Sequence, residues 1–458
     1  MYYIAIDIGS TYIKSSLLAP SEGRILRQTR GEVTPKCHLE SPLRFEVDMN
    51  EMMALVHDLL ESYQDVMALV DGIIFSTQQH GFVYVDPAFE GERYISWQDA
   101  RCLEPMGEDG ETTLSLLQRR ITIDMMRPTG VYLKPALGAC NLYTLIRERH
   151  GVISEGAKLY TLGSYIIEKL TGNNVCHITN AAPLGLVDIY RRCWCRELIE
   201  RFGFGRIELP RLVSDIEACG WYEAAGRRIA VYPDVGDVQI SVYGSGAEPG
   251  DVAVNMATAG QLNMPSASRE ILDADPRFYE IRPYFDGLYC HTISRMPSGR
   301  NLEVLVHFLR DIGSRIFGAE LSTEEIWRRL DGCTLDGDTA GLEVSTAFYE
   351  MPEQLADGAI LHIDRANLTL DHLFSAAYQD MGRIYAHYLE IMARANGEKP
   401  RRMVFCGGAV RKNRQIQEAL ERATGLSGVL SVSPDEVHEG LLKLVSKIEM
   451  QPRGAEAS

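Results

Sequence analysis

Apolar and polar positions alternate along the chain between short strand-like runs and longer helical stripes. Apolar residues recur at 52, 55, 56, 59, 60 and 63, the spacing of a helix with one buried face. Comparable patterns predict helices over 137–149, 162–170, 301–317, 369–395, 413–423 and 434–448, and strands over 72–77, 82–85, 230–232, 252–256, 402–406 and 429–432. This mixture of hairpins and strand–helix alternation is typical of the α/β class.

The most informative segment is YIAIDIGSTYIKSSLL, residues 3–18. It predicts a buried strand, a turn of small residues and a second strand. A turn rich in Gly, Ser and Thr offers backbone N–H groups and hydroxyls to an anion such as phosphate. Asp7 precedes this turn, and a carboxylate there suits the Mg²⁺ that accompanies nucleotide phosphates. By itself the segment is also compatible with an ordinary hairpin turn.

Two further turns strengthen the phosphate interpretation. DVAVNMATAGQLNMP, residues 251–265, again predicts strand, small-residue turn and strand, and VFCGGAVRKN, residues 404–413, places a glycine turn after an apolar strand. Three such turns in one chain predict a duplicated fold that closes on a nucleotide. The segment GSGAEPG, residues 244–250, is the predicted boundary between the two halves.

Length and charge narrow the class of protein. A chain of 458 residues suits two domains. The net charge of −17 argues against nucleic acid or an anionic membrane as a partner. No apolar run approaches the length of a membrane span, and a strand at the very start predicts that no signal peptide is present. Ten cysteines lack a zinc or disulfide pattern, and Cys193 and Cys195 are the single close pair, which favours a reducing, cytoplasmic location.

The segment YPDVGDVQISVYGSG, residues 232–246, holds the candidate general base. Asp237 follows a glycine at the end of a predicted strand and precedes a predicted helix start, close to the predicted domain boundary. A carboxylate at this point can take a proton from a substrate hydroxyl. A helix N-cap is the alternative role for the same residue.

Two segments have the side chains that a hydroxyl-rich ligand requires. The sequence TQQHG, residues 77–81, separates two apolar runs and offers hydrogen-bond donors and acceptors to a ligand. The alternative is an ordinary polar turn. SWQDARC, residues 96–102, combines an indole with an amide and a carboxylate. Such a ring packs on the C–H faces of a sugar, and a core tryptophan before a capped helix is the alternative.

Six segments occur in a fixed order along almost the whole chain: DIGSTYIK, QQHG, WQDAR, VGDVQ, ATAGQ and GGAVRKN. In this order they resemble the FGGY family of carbohydrate kinases. The resemblance implies two ribonuclease-H-like domains of the actin and Hsp70 ATPase type, with the active site in a cleft between them. The expected ranges are 1–246 for sugar binding and the first phosphate turn, 247–448 for nucleotide binding, and 449–458 for a disordered tail.

The same resemblance implies a phosphotransferase that uses ATP and Mg²⁺. The segments WQDARC, GDVQISVYG and RPYFDGLYC favour an open-chain ketose such as sedoheptulose as acceptor, with a pentulose such as xylulose or ribulose as the alternative. Asp237 would be the general base, and Asp7 and Asp237 would lie at the metal. The remaining implied contacts are Gln79, His80, Trp97, Asp99 and Asp237 for the sugar; Gly9, Ser10, Thr11 and Lys14 for the β- and γ-phosphates; Thr258 and Gly260 for the second phosphate turn; and Gly407, Gly408 and Asn413 for adenosine.

Two other classes of protein are alternatives to a kinase. A non-catalytic nucleotide-binding sensor of the same fold would lack the acid at 237 and the sugar segments, and this chain has both. An activator ATPase would need cysteines for an iron–sulfur cluster, and Cys193 and Cys195 are poorly spaced for one. A homodimer is left open as the assembly.

Overall fold

The computed structural model describes residues 1–29, 31, 34–106, 110–257, 260–331 and 337–450. The chain divides into two compact units. The first unit comprises Met1–Gly244, Arg282–Gly287 and the described residues from Asp435 onward, and the second comprises Ser245–Ile281 and Leu288–Pro434. The chain thus passes from the first unit to the second within the predicted boundary region, residues 244–250. Two later segments belong to the first unit again, so a single boundary in the sequence does not describe the two units.

A seven-stranded mixed sheet forms the centre of the first unit. Its strands lie in the order Gly220–Ala224, Arg227–Val231, Val70–Thr77, Tyr2–Ile8, Ile13–Ala19 and Arg24–Thr29, and Val235–Gly236 also pairs with Val70–Thr77. We call Val70–Thr77 the central strand, Tyr2–Ile8 the N-terminal strand and Val235–Gly236 the short strand. The central strand pairs in parallel with both of the others. Its apolar side chains are buried on both faces, as is usual for the parallel part of a sheet.

The remaining strands of the first unit form small sheets. They are Glu46–Asp48, Phe82–Val85, Arg93–Ile95 and Lys158–Tyr160 in a four-stranded sheet, and the pairs Val175–His177 with Arg211–Val213, Val187–Asp188 with Cys193–Trp194, and Pro105–Met106 with Glu111–Thr112. The α-helices of this unit are Met49–Glu61, Thr113–Arg120, Ile123–Met126, Gly138–Glu148, Leu162–Thr171, Ile178–Ala181, Arg196–Phe202, Asp237–Ser245 and Glu436–Met450, with Ser245 already in the second unit. Two buried apolar clusters, one against the large sheet and one around Gly138–Glu148, form its core.

The last helix, Glu436–Met450, packs closely against the helix that begins at Asp237. A side chain at Gly244 would collide with the carbonyl of Glu436 and come within 2.6 Å of the Gly440 nitrogen. A side chain at Gly440 would in turn collide with the carbonyl of Ile240. Glycine is therefore required where these helices cross, and the contact holds the start of the last helix in the first unit.

A six-stranded sheet forms the centre of the second unit. Its strands lie in the order Tyr279–Pro283, Tyr289–Met296, Gly260–Ser266, Val252–Met256, Met403–Cys406 and Gly428–Leu430, with residues 282 and 283 belonging to the first unit. Glu343–Ser345 and Ala359–Leu361 form a separate pair. The α-helices are Gly299–Phe317, Thr323–Asp331, Leu370–Asn396, Gly408–Lys412 and Arg414–Thr424.

Most predicted elements are present with ends displaced by a few residues. The helical stripe after residue 50 is Met49–Glu61, and the helix predicted over 162–170 ends at Gly172, which adopts a left-handed φ of 79°. The helix Gly408–Lys412 was not predicted. The last helix includes residues 449 and 450 of the predicted disordered tail, and the rest of that tail lies outside the described residues.

Among the residues that the structure describes, no helix is long and apolar enough to cross a membrane.

Two buried histidines, one in each unit, are held in the neutral form. His177 Nε2 lies 3.0 Å from the Ser214 carbonyl, and its Nδ1 accepts the N–H of Thr179. His291 Nε2 lies 3.2 Å from the Ser268 carbonyl, and its Nδ1 lies 2.9 Å from the Tyr279 hydroxyl. Because a carbonyl can only accept, both rings have their hydrogen on Nε2. Burial lowers the pKa of each ring from 6.5 to about 4.

We expect the free energy of unfolding to fall as the pH is lowered from 6.5 to 4. In this window the unfolded chain binds protons at these two positions while the folded chain does not, and each histidine contributes about 3 kcal/mol at most. Calorimetric unfolding at a series of pH values measures the slope. His291→Gln should reduce the slope, the exposed His307→Gln should leave it unchanged, and an equal slope in wild type and His291→Gln would contradict the assignment.

Candidate active site

Polar residues lie at the carboxyl ends of three strands of the first unit, at one edge of its sheet. Asp7 lies opposite Ser76 where the N-terminal strand pairs with the central strand, and Gly236 lies opposite Thr77 where the short strand does so. Parallel strands have their carboxyl ends at the same edge, which is where α/β sheets bind ligands. The pairing therefore gathers Asp7, the residues after Thr77 and Asp237 at one edge.

The predicted phosphate turn is a tight hairpin after Asp7. The Gly9 N–H donates to the Tyr12 carbonyl over 3.1 Å, and the Thr34 hydroxyl donates to the Gly9 carbonyl over 2.8 Å. Ser10 is half-buried and Thr11 is exposed. Hydrogen bonds at both the N–H and the carbonyl of Gly9 thus fix the turn, while its hydroxyl residues stay accessible, as an anion-binding turn requires.

A cluster of charged and polar groups lies beside this turn. Lys14 Nζ lies 3.7 Å from the carboxylate of Asp435, His438 Nδ1 lies 3.1 Å from it, and Gln28 Nε2 donates to it over 2.6 Å. Burial raises the pKa of Asp435, but hydrogen bonding and charge from His438, together with Lys14, hold it well below its usual range. Burial also raises the pKa of Asp7, and the charge of His438 opposes that rise. Asp435 and His438 were not predicted as site residues, because they lie more than 400 residues from this turn in the sequence.

Asp237 begins a helix directly after the short strand and is only half-buried. Its Oδ1 accepts the N–H of the next residue, Val238, over 2.8 Å, whereas an N-cap usually accepts from the second or third residue. Burial first, and then the charge of Asp7, raise the pKa of Asp237 to about 7, with Arg282 opposing. A carboxylate that titrates near neutral pH suits a general base.

Gln79 is fixed in orientation by a buried network. Gly236 allows its approach, since a side chain there would collide with the Gln79 amide nitrogen. That nitrogen donates to the Thr179 carbonyl over 3.0 Å and to Gln239 Oε1. The Gln79 oxygen accepts from Arg282 Nη1 over 3.1 Å. Gln79 is buried, and both ends of its amide are bonded within the protein.

His80 has a defined tautomer. Its Nδ1 lies 2.9 Å from the Pro183 carbonyl, which can only accept, and its Nε2 lies 3.2 Å from Arg282 Nη2, which can only donate. The ring is therefore neutral with its hydrogen on Nδ1. The backbone of His80 has a φ of 65°, a left-handed conformation that is uncommon outside glycine. Arg282 was not predicted as a site residue, although its segment RPYFDGLYC stood out in the sequence.

The two predicted sugar residues of WQDAR have different environments. Trp97 is 41% exposed. Asp99 is fully buried, and its carboxylate accepts the N–H of Phe45 over 2.8 Å as well as the Arg101 guanidinium. Arg101 also pairs with Glu46 over 2.7 Å. Sugar binding by Asp99 stays a prediction, but in this structure both of its oxygens are bonded within the protein.

In the second unit, Val252–Met256 and Met403–Cys406 run in parallel, so the strands that precede two of the predicted turns end at one edge of the sheet. Gly407 follows the second strand with a left-handed φ of 82°, and Gly408 begins a short helix. Thr258 lies outside the described residues, and Gly260 begins the return strand. Asn413 caps the helix Arg414–Thr424, and its amide donates to the Tyr378 hydroxyl over 3.0 Å.

The donors at the first unit's edge fit Mg²⁺ only in part. No set of three or more His, Cys, Asp or Glu side chains able to hold a metal ion is found within the described ranges, and this includes the surroundings of Cys193 and Cys195. Asp7 and Asp237 are two carboxylates whose proximity raises the pKa of Asp237, so a cation between them would relieve their repulsion. Mg²⁺ commonly takes one or two carboxylates and completes its shell with water and substrate phosphates.

Comparison with known proteins shows what this chain is similar to. The chain is 24% identical to the sedoheptulokinase of Homo sapiens over 92% of both chains, and 24% identical to the xylulose kinase of Klebsiella pneumoniae over 57% of this chain and 51% of that protein. The solved structure of xylulose kinase from Rhodospirillum rubrum superposes with a TM-score of 0.85 at 18% identity, covering 99% of this chain and 91% of that chain.

These matches confirm the predicted two-domain α/β fold. The N-terminal domain model of the FGGY family of carbohydrate kinases matches residues 2–242, more than half of the chain. The predicted resemblance is thereby confirmed, and the chain belongs to the FGGY family of carbohydrate kinases.

Proposed function

We propose that this carbohydrate kinase transfers the γ-phosphoryl group of ATP to the terminal hydroxyl of an open-chain ketose, with sedoheptulose preferred. The observation that carries the proposal is Asp237: a half-buried carboxylate with a pKa of about 7, beside Asp7, at the edge where the sugar residues Gln79 and His80 follow the central strand. A base of this kind is what an alcohol acceptor requires.

In the proposed reaction, Asp237 accepts the proton of the sugar hydroxyl as that oxygen bonds to the γ-phosphorus. The bond between this phosphorus and the β–γ bridging oxygen breaks, and that oxygen leaves with ADP. Gly9, Ser10, Thr11 and Lys14 would hold the phosphates from the turn after Asp7. A primary hydroxyl is a weak nucleophile, so in-line positioning supplies much of the rate.

Mg²⁺ would be held at Asp7 and Asp237 and, when bound, would neutralise charge on the phosphates. Its positive charge would also favour the ionised form of Asp237. Lys14 would have to exchange its pairing with Asp435 for a phosphate oxygen, which is possible because its side chain is 41% exposed. The residues Gly260, Gly407, Gly408 and Asn413 of the second unit, together with Thr258, are proposed for the nucleotide.

Sedoheptulose is favoured by two observations. The match to human sedoheptulokinase extends over 92% of both chains, whereas the match to the K. pneumoniae xylulose kinase covers about half of each. The segments WQDARC and RPYFDGLYC also point to this acceptor. A pentulose such as xylulose is the second candidate, because xylulose kinases recur among the similar structures. A cytoplasmic location and a homodimer belong to the same proposal.

The first prediction concerns Asp237→Asn. The variant should lose about 10²- to 10⁴-fold in kcat because its amide cannot accept the hydroxyl proton. A coupled assay of ADP release measures kcat, and calorimetric titration with MgADP measures nucleotide affinity, which should be retained. A loss of less than about tenfold would contradict the role of Asp237 as the general base.

The second prediction concerns the acceptor. A screen of ketoses, aldoses and polyols should rank sedoheptulose first by kcat/KM, above xylulose and ribulose, because buried polar groups discriminate strongly between patterns of hydroxyls. ADP release should also depend on added sugar, which separates a kinase from a nucleotide-binding sensor. A higher kcat/KM for glycerol or an aldose would contradict the ketose assignment.

The third prediction separates Asp99 from Trp97. Asp99→Asn should lower the free energy of unfolding by on the order of 3 kcal/mol, because an amide cannot replace the ionic partner of buried Arg101. Trp97→Ala should leave stability nearly unchanged and raise the KM for sugar, since its ring is partly exposed. Urea unfolding and steady-state kinetics measure both. If Asp99→Asn retained full stability and lost only sugar affinity, Asp99 would be a direct sugar ligand.

A further inference from the structure

Arg282 is the first residue of the segment that returns to the first unit, and only 3% of it is exposed. A buried guanidinium is costly unless it is paired or well hydrogen-bonded. Two of its hydrogen bonds go to neutral acceptors, the Gln79 oxygen and His80 Nε2. Both acceptors belong to the QQHG segment, which the kinase proposal assigns to the sugar.

The hydrogen-bond network allows one orientation of the Gln79 amide. Its nitrogen faces two oxygens, the Thr179 carbonyl and Gln239 Oε1, and its oxygen faces the Arg282 guanidinium. Reversing the amide would place N–H groups against Arg282 and an oxygen against the Thr179 carbonyl. The Thr179 carbonyl, which can only accept, and Arg282, which has donors only, therefore require the same orientation.

The same argument applies to His80. A hydrogen on Nε2 would point at the Arg282 guanidinium, and Nδ1 would then lack a hydrogen for the Pro183 carbonyl. The Nδ1–H tautomer satisfies both neighbours. His177 and His291, whose Nε2 atoms face carbonyls, have the opposite tautomer and serve as internal references.

We propose that Arg282 is a positioning residue for the sugar side of the site, which holds the Gln79 amide oxygen and His80 Nε2 in place. The inference rests on the proposed kinase function for its kinetic consequence, whereas its structural part stands on the hydrogen bonds alone. Without the guanidinium, the Gln79 oxygen and His80 Nε2 each lose the hydrogen bond from Arg282, which also helps to hold the ring of a residue with a left-handed backbone.

The direct test is ¹⁵N NMR of protein labelled in its histidine rings, which distinguishes the two neutral tautomers. His80→Gln assigns the His80 signals by subtraction. The wild type should show the Nδ1–H pattern for His80, with its Nε2 signal displaced by the hydrogen bond from Arg282. Arg282→Met should lose that displacement, because methionine has no donor. Arg282→Lys should lose it in part, because an ammonium group cannot bond to both acceptors as the planar fork does. Arg101→Lys replaces another buried arginine, whose guanidinium pairs with Asp99 and Glu46, and it should keep the displacement.

Kinetics supply the second readout. Arg282→Met should lower kcat/KM for the sugar by about 10²-fold, because small misplacements of positioning groups are costly. Its affinity for MgADP, measured by calorimetry, should be unchanged. Loss of sugar kcat/KM together with loss of the displacement of the His80 Nε2 signal supports the proposal. An equal loss of MgADP affinity would instead indicate general disruption of the unit and would overturn it.

The remaining outcomes also decide the question. An Nε2–H pattern for His80 in the wild type, or an Nε2 signal that is unchanged in Arg282→Met, overturns the proposal. If Arg282→Met does not fold, the wild-type spectrum and Arg282→Lys decide by the same criteria. If no sugar is phosphorylated while the His80 Nε2 signal depends on Arg282, the kinase proposal fails and the assignment of Arg282 as the residue that holds Gln79 and His80 in place is supported.

Discussion

The parallel pairing of the central strand with two partners is the constraint on which the site depends. The N-terminal strand and the short strand are more than 220 residues apart in sequence, yet each is in register with the same strand. A shift of either register by one residue would turn Asp7 or Gly236 to the opposite face of the sheet. The apolar residues buried on both faces of the central strand prevent such a shift, so core packing sets the positions of the polar groups.

The polar groups gathered at this edge repel one another and need compensation. Asp7 raises the pKa of Asp237, and both carboxylates have lost part of their hydration. Lys14, His438 and Arg282 supply opposing positive charge or donors from three different parts of the chain. Burying a charge without such partners costs several kcal/mol. The balance explains how a carboxylate with a pKa of about 7 can persist in the folded protein.

Local patterns in the sequence were sufficient to predict most helices and strands and the hairpin after Asp7. The features that were predicted in this way are all local: the strand and glycine before Asp237, the QQHG segment between two apolar runs, and the DIGST hairpin. Arg282, Asp435 and His438 could not be recognised in this way, because each acquires its role from a contact with residues about 200 to 420 positions away. Nor did the sequence indicate that the Asp99 carboxylate, predicted for the sugar, is hydrogen-bonded to Arg101 and to the backbone of Phe45.

Gly244 shows how one residue type supports two different interpretations. In the sequence it is the first glycine of a segment suited to a domain boundary. In the structure its missing side chain lets the Glu436 carbonyl approach the helix that begins at Asp237. That close approach holds the first turn of the last helix, which presents Asp435 and His438 to Lys14 and Asp7. A side chain at 244 would therefore move the charges beside the phosphate turn although it touches none of them, and the packing of two helices becomes part of the electrostatics of the site.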